Sequence, residues 1–167
     1  ISVRSFYQIN PYATEILYRK ALEKAQLTGN ETVIDLYCGT GTIGILASTM
    51  AKKVYGIEIV DDAVKDARIN AALNHRDNIE FFTADAEAGA ARLLKNKIKP
   101  DVVIVDPPRK GCSRNTLNAI VTMNPKRLVY VSCDPATLAR DCAYLKGQGY
   151  MVQEVQPVDM FPGTVAV

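Results

Sequence analysis

Two stretches carry the residue types that chemistry needs. In Thr32-Val33-Ile34-Asp35-Leu36-Tyr37-Cys38-Gly39-Thr40-Gly41-Thr42-Ile43-Gly44 an apolar strand runs into glycines spaced G-x-G-x-x-G. Glycine lets backbone approach a ligand closely, and a helix that follows offers free N–H groups. Glu58 stands 17 residues after Gly41, at the expected end of a second strand. There its carboxylate can accept both hydroxyls of a ribose. In Val129-Tyr130-Val131-Ser132-Cys133-Asp134-Pro135 a thiol lies on the turn between a strand and a helix. The positive end of a helix favours the thiolate, whereas Asp134 adds negative charge beside it, so the two effects oppose each other.

The other cysteines carry less. Cys142 falls in a helical stripe with Leu138 and Leu145 and reads as core, and Cys38 reads as packing inside the glycine loop. Cys112, after Lys110-Gly111, has no evident role. Four cysteines without paired spacing and one histidine argue against a zinc site and for a reduced, cytoplasmic protein. A net charge of +2 is too small to announce nucleic-acid binding, although a few clustered Arg and Lys would suffice for it. No run approaches the roughly 18 apolar residues of a membrane span, and no basic start leads into an apolar segment and cleavage site. The first residue is Ile1, which reads as a fragment of something longer.

The elements that must position these groups alternate between apolar runs and helical patterns, the signature of a doubly wound, mostly parallel α/β sheet. The expected strands are Thr32–Leu36, Lys53–Ile57, Ile79–Thr83, Val102–Val105, Leu128–Val131 and Met151–Val155. Asn10-Pro11 opens a first helix with Ile16, Leu17, Ala21 and Ala25 inward, closed by Thr28-Gly29-Asn30. Further helices are expected over about 40–50, from a cap at Asp61 or Asp62 with Val64, Ala67, Ala71 and Leu73 inward, near 87–95, near 115–123, and from Pro135 to Gly149. Phe161-Pro162-Gly163 reads as the approach to a further strand.

The glycine layout serves both NAD and S-adenosylmethionine. Two features favour the methyl donor: Asp35 sits where it can meet the cofactor's amino-acid portion, and Asp106-Pro107-Pro108-Arg109 makes a stiff loop at the mouth of the sheet. These loops resemble a Rossmann-like class I S-adenosylmethionine-dependent methyltransferase. A thiolate has a use in such a site. Carbon 5 of a pyrimidine is a poor nucleophile. Addition of sulfur at carbon 6 gives an enolate-like intermediate that can attack a methylsulfonium, after which a base removes the carbon-5 proton and the thiolate leaves.

Five motifs in order, Phe6-Tyr7-Gln8-Ile9-Asn10, Asp35-Leu36-Tyr37-Cys38-Gly39-Thr40-Gly41, Asp106-Pro107-Pro108-Arg109-Lys110-Gly111, Ser132-Cys133-Asp134-Pro135-Ala136-Thr137-Leu138-Ala139-Arg140-Asp141 and Asp159-Met160-Phe161-Pro162, closely resemble the RNA uracil-5-methyltransferases over nearly the whole chain. The resemblance implies one catalytic domain over 1–167. It implies an RNA substrate, with ribosomal RNA placed ahead of transfer RNA. It implies Cys133 as nucleophile, Gln8, Tyr37, Glu58 and Asp106 as cofactor contacts beside Gly39, Asp106 also facing the base, and Asp85 near the adenine. Arg109 and Arg140 become candidates for RNA or active-site contacts.

Family members usually carry a preceding RNA-binding module and a central domain. Their last strand is antiparallel, and Met-Phe-Pro continues to a Glu that acts as base. Here Met160-Phe161-Pro162 continues as Gly163-Thr164-Val165-Ala166-Val167, and the Glu position would be the next residue. The expectation is a truncated last strand, a sheet edge open to pairing between copies, and cofactor binding without completed methylation. A 5-methylcytosine RNA methyltransferase, a cofactor-binding interaction module without chemistry and an NAD dehydrogenase remain as alternatives. The first is disfavoured because no Cys directly follows Asp106-Pro107-Pro108. Repeated turnover to 5-methyluridine by these 167 residues alone, measured on bulk RNA, would overturn the expected lack of a base.

Overall fold

The computed structural model describes residues 10–160. Its strands are β1 (Thr32–Leu36), β2 (Lys53–Glu58), β3 (Ile79–Thr83), β4 (Val102–Val105) and β5 (Arg127–Tyr130). Its helices are α1 (Pro11–Ala25), α2 (Thr42–Ala47), α3 (Asp61–Leu73), α4 (Ala86–Lys95), α5 (Arg114–Met123) and α6 (Pro135–Gly147). The strands form one sheet in the order β3-β2-β1-β4-β5, with every pair parallel. The chain steps outward from β1 through β2 to β3, then crosses to β4 on the other side of β1. A crevice therefore opens between the C-terminal ends of β1 and β4, where such sheets bind ligands.

Strand parity divides the interior into two cores. Val33, Val102, Ile104 and Val129 face α1, α2 and α3, whereas Ile34, Leu36, Val103 and Val105 face α4, α5 and α6. A parallel strand covered on both faces must be apolar at every position, which is why Val102–Val105 reads as one continuous run and is buried throughout. Within β1 the exception is Asp35, discussed below.

Local signals explain most boundaries. The Asn10 side chain accepts from the Ala13 amide at 3.1 Å, and Pro11 fills the first helical position of α1. That helix ends at Gln26 in a left-handed turn, before Thr28-Gly29-Asn30, and Tyr18 rather than Ile16 joins its buried stripe. Ser113 caps α5 by accepting from Thr116, a signal that the sequence reading does not use. No side chain caps α3: Asp61 and Asp62 lie in its first turn and pair with Lys65. Leu73, expected inward, is 72% exposed, because at about 100° per residue it falls on the face of α3 opposite Val64, Ala67 and Ala71. Helix α2 is shorter than expected, six residues from Thr42.

The expected sixth strand does not form. Met151 to Val155 lie exposed, Met151 at 77%, and make no ladder with β5. The Tyr150 amide turns back to the Leu145 carbonyl, and Glu154 pairs with Lys24 of α1 at 2.6 Å. A segment makes a strand only where a neighbour supplies the other half of each hydrogen bond, and among the described residues β5 has none on its outer side. The expected last antiparallel strand and the turn at Phe161 lie outside the described residues. No described helix is long and apolar enough to cross a membrane.

One contact joins the sheet to the glycine loop. A Cβ on Gly56 of β2 would meet the Phe81 ring at 2.4 Å and the Cys38 sulfur at 3.0 Å, and one on Gly41 would meet the same ring at 2.7 Å. Two missing side chains thus make the slot that Phe81 fills. Gly56→Ala is expected to destabilise the domain by about 1–3 kcal/mol through overpacking, with partial recovery when Phe81→Leu is added. Denaturant unfolding of the single and double variants checks this; no recovery would show that the ring is not what the methyl strikes.

Candidate active site

The turn after β1 is wound by three left-handed residues, Tyr37 (φ 64°), Gly39 (φ 53°) and Gly41 (φ 83°). The Cys38 amide donates to the Ile57 carbonyl, which extends the β1–β2 pairing, and the Gly41 amide closes the turn on Cys38. The glycines do different work. Gly39 faces open space, with nothing within 4 Å of a built Cβ, so a ligand can reach its backbone. Gly41 makes room for Phe81. Gly44 lets α2 approach β1, since a Cβ there would meet a carboxylate oxygen of Asp35 at 3.0 Å. Only the first glycine of the spacing faces the groove.

Glu58, at the end of β2, accepts from the Gly39 amide at 3.0 Å with one oxygen and from the Val60 amide at 2.9 Å with the other. It therefore fixes two loops relative to each other and keeps further lone pairs toward the groove. Asp85 caps α4 by accepting from the Ala88 amide at 2.8 Å and stands exposed at the groove's lip. Tyr37 is half-buried. Its hydroxyl lies 3.3 Å from the Thr116 hydroxyl of α5, and burial pushes its pKa up to about 12.

Asp35 is 0% exposed, and neither of its carboxylate oxygens has a hydrogen-bond partner. Burial is the main force pushing its pKa up to about 8, with the nearby Asp106 and Glu58 charges adding to it. The Gly44 amide points its way and pulls the value down, short of a bond of ordinary geometry. Asp106, at the end of β4, is pushed up to about 6 by burial. Burial thus works against charge on both carboxyls, and the charges of Asp106 and Glu58 work further against charge on Asp35.

The thiol end lies after β5. Cys133 is exposed on the turn, as expected. The Ser132 hydroxyl accepts from the Asp134 amide and donates to the Asp134 carbonyl, locking that turn. Asp134 caps α6 by accepting from the Thr137 amide at 2.8 Å, a bond that also lowers its pKa. Tyr37, Gly39, Glu58, Asp85, Asp106 and Cys133 lie at the C-terminal rim of the sheet, with Asp35 beneath them, along one open groove that continues past β5 toward Arg127 and α1. Gln8 lies outside the described residues.

Arg140 is not a free RNA contact. It pairs with Asp141 at 2.7 Å and donates to the carbonyls of Lys110 and Cys112. Asp141 is 1% exposed. It sits among Leu138, Cys142 and Leu145 on one stripe of α6, and an acid inside an apolar stripe is the signal that could have found it. Arg109 keeps its side chain exposed, while its carbonyl accepts from the Thr137 hydroxyl. Cys38 is packed against β2, as read from sequence; burial raises its thiol pKa. Cys142 is only partly buried. No group of three or more His, Cys, Asp or Glu among the described residues is placed to hold a metal ion.

The family model of the tRNA (uracil-5-)-methyltransferases matches residues 2–167. An uncharacterized RNA methyltransferase of Bacillus cereus is 57% identical over the whole chain, and one of Listeria innocua 54%. The chain spans 36% and 37% of their lengths, a little over a third. Among solved structures, the tRNA (uracil-54, C5)-methyltransferase of Pyrococcus abyssi in complex with S-adenosyl-L-homocysteine matches 98% of this chain and 38% of its own, at TM-score 0.81 and 34% identity. A ribosomal protein L11 methylase of Lactobacillus delbrueckii matches 93% of this chain and 77% of its own at TM-score 0.71 and 20% identity, a likeness of fold alone.

The buried acid gives a pH dependence. Unfolded, Asp35 ionises near 3.8; folded, it keeps its proton to about 8. Folding therefore takes up a proton across that window, and stability falls as pH rises through it. Asp35→Asn removes this term, so the melting temperature of the ligand-free variant should gain on the parent steadily from pH 4 to pH 8. Parallel curves for the two proteins would refute the assignment.

Proposed function

The chain belongs to the tRNA (uracil-5-)-methyltransferase family, and on that premise we propose that it methylates carbon 5 of a uridine in RNA, using S-adenosylmethionine. The observation that carries this reading is one groove lined both by an open glycine backbone with an unpartnered buried acid and by an exposed cysteine. The cofactor, when bound, supplies an electrophilic methyl group on a sulfonium.

The site's residues fit that group. Gly39 leaves its backbone open, Glu58 would offer its remaining lone pairs to ribose hydroxyls, and Asp85 is the proposed contact near the adenine. Gln8 and Tyr37 complete the proposed contacts, Tyr37 through the left-handed turn that it shapes. Asp35 and Asp106 give the pocket latent negative charge for a ligand that carries positive charge at sulfur and amine. As that charge enters, both acids can release protons, so affinity for the cation is proposed to rise with pH through the range from about 6 to about 8.

Cys133, as thiolate, adds to carbon 6 of the uracil and drives the ring electrons toward carbon 5. Asp106 faces the base from the β4 loop. Once carbon 5 is methylated, its proton leaves to a base, the carbon–sulfur bond breaks, and the thiolate is restored. Ribosomal RNA is the first proposed substrate and action in the cytoplasm the proposed setting. Transfer RNA is the second reading, favoured by the substrate of the Pyrococcus neighbour.

RNA containing 5-fluorouridine tests this, because fluorine cannot leave as the carbon-5 proton does. With cofactor present, the protein that carries this chain should form a covalent complex stable in denaturing gels, and Cys133→Ala should abolish it. Ribosomal and transfer RNA arms decide the substrate. No complex with either RNA, or an undiminished one with Cys133→Ala, would overturn the proposal.

A further inference from the structure

The loop that carries Asp106 and the helix that carries Cys133 leave the sheet from different strands, yet they are tied together by a group absent from the proposed chemistry. The Asp141 carboxylate accepts from the Cys112 amide at 2.8 Å, the Tyr130 hydroxyl at 2.6 Å and Nε of Arg140 at 2.8 Å. The same guanidinium donates to the carbonyl of Lys110 at 2.9 Å and that of Cys112 at 3.2 Å. One turn earlier on α6, the Thr137 hydroxyl donates to the Arg109 carbonyl at 3.1 Å. The backbone from Arg109 to Cys112 is thus held against α6 at successive points.

The loop is shaped for this approach. Gly111 is left-handed at φ 73°, and a Cβ there would meet both Arg140 Nη2 and an Asp141 oxygen at 2.7 Å. Tyr130 is the last residue of β5, so its bond to Asp141 also ties the end of that strand, three residues before Cys133, to the same point. A carboxylate at 1% exposure would be costly to bury for surface cohesion alone. Here its bonds to Cys112 and Tyr130 join elements on the two sides of the thiol, and Arg140, beside it on α6, extends the tie to Lys110.

We infer that Asp141 is a positioning residue: acting through Arg140, Tyr130 and the Cys112 amide, it fixes the 106–112 loop, and with it Asp106, relative to the Cys133 thiol. This rests on the reading of Cys133 as nucleophile. Asp141 touches neither cofactor nor base. Most of the proposed cofactor contacts lie on the loops after β1, β2 and β3, so its loss should touch cofactor binding only through Asp106 and should chiefly slow formation of the sulfur–carbon bond.

The test uses the protein that carries this chain, with Asp141→Asn as the main variant and Tyr130→Phe as a milder one should the first fold poorly. Amide hydrogen exchange over 109–112 should speed at least about tenfold in Asp141→Asn while β1 and β4 amides keep their protection. Affinity for S-adenosylhomocysteine should stay within about threefold, and the covalent rate with 5-fluorouridine RNA should fall at least about tenfold. Tyr130→Phe should show the same pattern with smaller changes. Cofactor affinity falling in step with the covalent rate would mark a general loss of structure and overturn the inference. So would an unchanged covalent rate, or an unchanged loop. If the parent protein forms no adduct although Asp141→Asn loosens the loop as described, the nucleophile reading is overturned, and the positioning role with it.

Discussion

β1 pairs in parallel with β2 along one side and with β4 along the other, Val33 opposite both Val54 and Val102, and this double ladder sets where everything else can go. Because all five strands run the same way, their C-terminal ends reach one rim. Tyr37 and Gly39 follow β1, Glu58 ends β2, Asp85 follows β3, Asp106 follows β4 and Cys133 follows β5. Residues nearly a hundred positions apart are gathered by strand direction alone. The reversal of strand order at β1 then opens the crevice between the loops that carry the carboxylates.

The same central strand carries the least comfortable residue. Asp35 lies on the face shared with Val33, under the first turn of α2, where water does not reach it. A carboxyl in that position stays protonated near neutrality and leaves two oxygens without partners. Such a group weakens the empty domain. Burial is the larger part of what holds its proton, and the nearby Asp106 and Glu58 charges supply the rest. The glycines around it divide that labour: Gly44 keeps α2 close enough to bury it, and Gly39 keeps the route to a ligand open.

Much of this was legible from residue order. The strand Thr32–Leu36, the glycine turn, the continuous run of β4 and the capped helix after Cys133 follow from short-range rules, and the structure places them within a residue or so of where those rules put them. The family resemblance also stands. What eluded the sequence depends on partners distant along the chain. Met151 to Val155 follow a helix and a glycine as a strand would, but pairing is a property of two segments, and the stretch makes none with β5. Leu73 is the exception: it is apolar but lies on the face of α3 opposite its inward stripe, which the helical period itself could have shown. Arg140 looked like a cation awaiting RNA because its partner, the adjacent Asp141, gains its meaning only when the β4 loop folds against it.

Strand parity leaves the domain with two hydrophobic interiors separated by a single layer of backbone. Asp35 and its supporting glycines belong to the first, packed by α1 to α3. The loop tie and the Tyr37–Thr116 contact belong to the second, packed by α4 to α6. Substitutions on opposite sides of the sheet share few neighbours, and distant, independent changes add in their effects. Each interior can therefore repack through mutation while the other keeps its alignment.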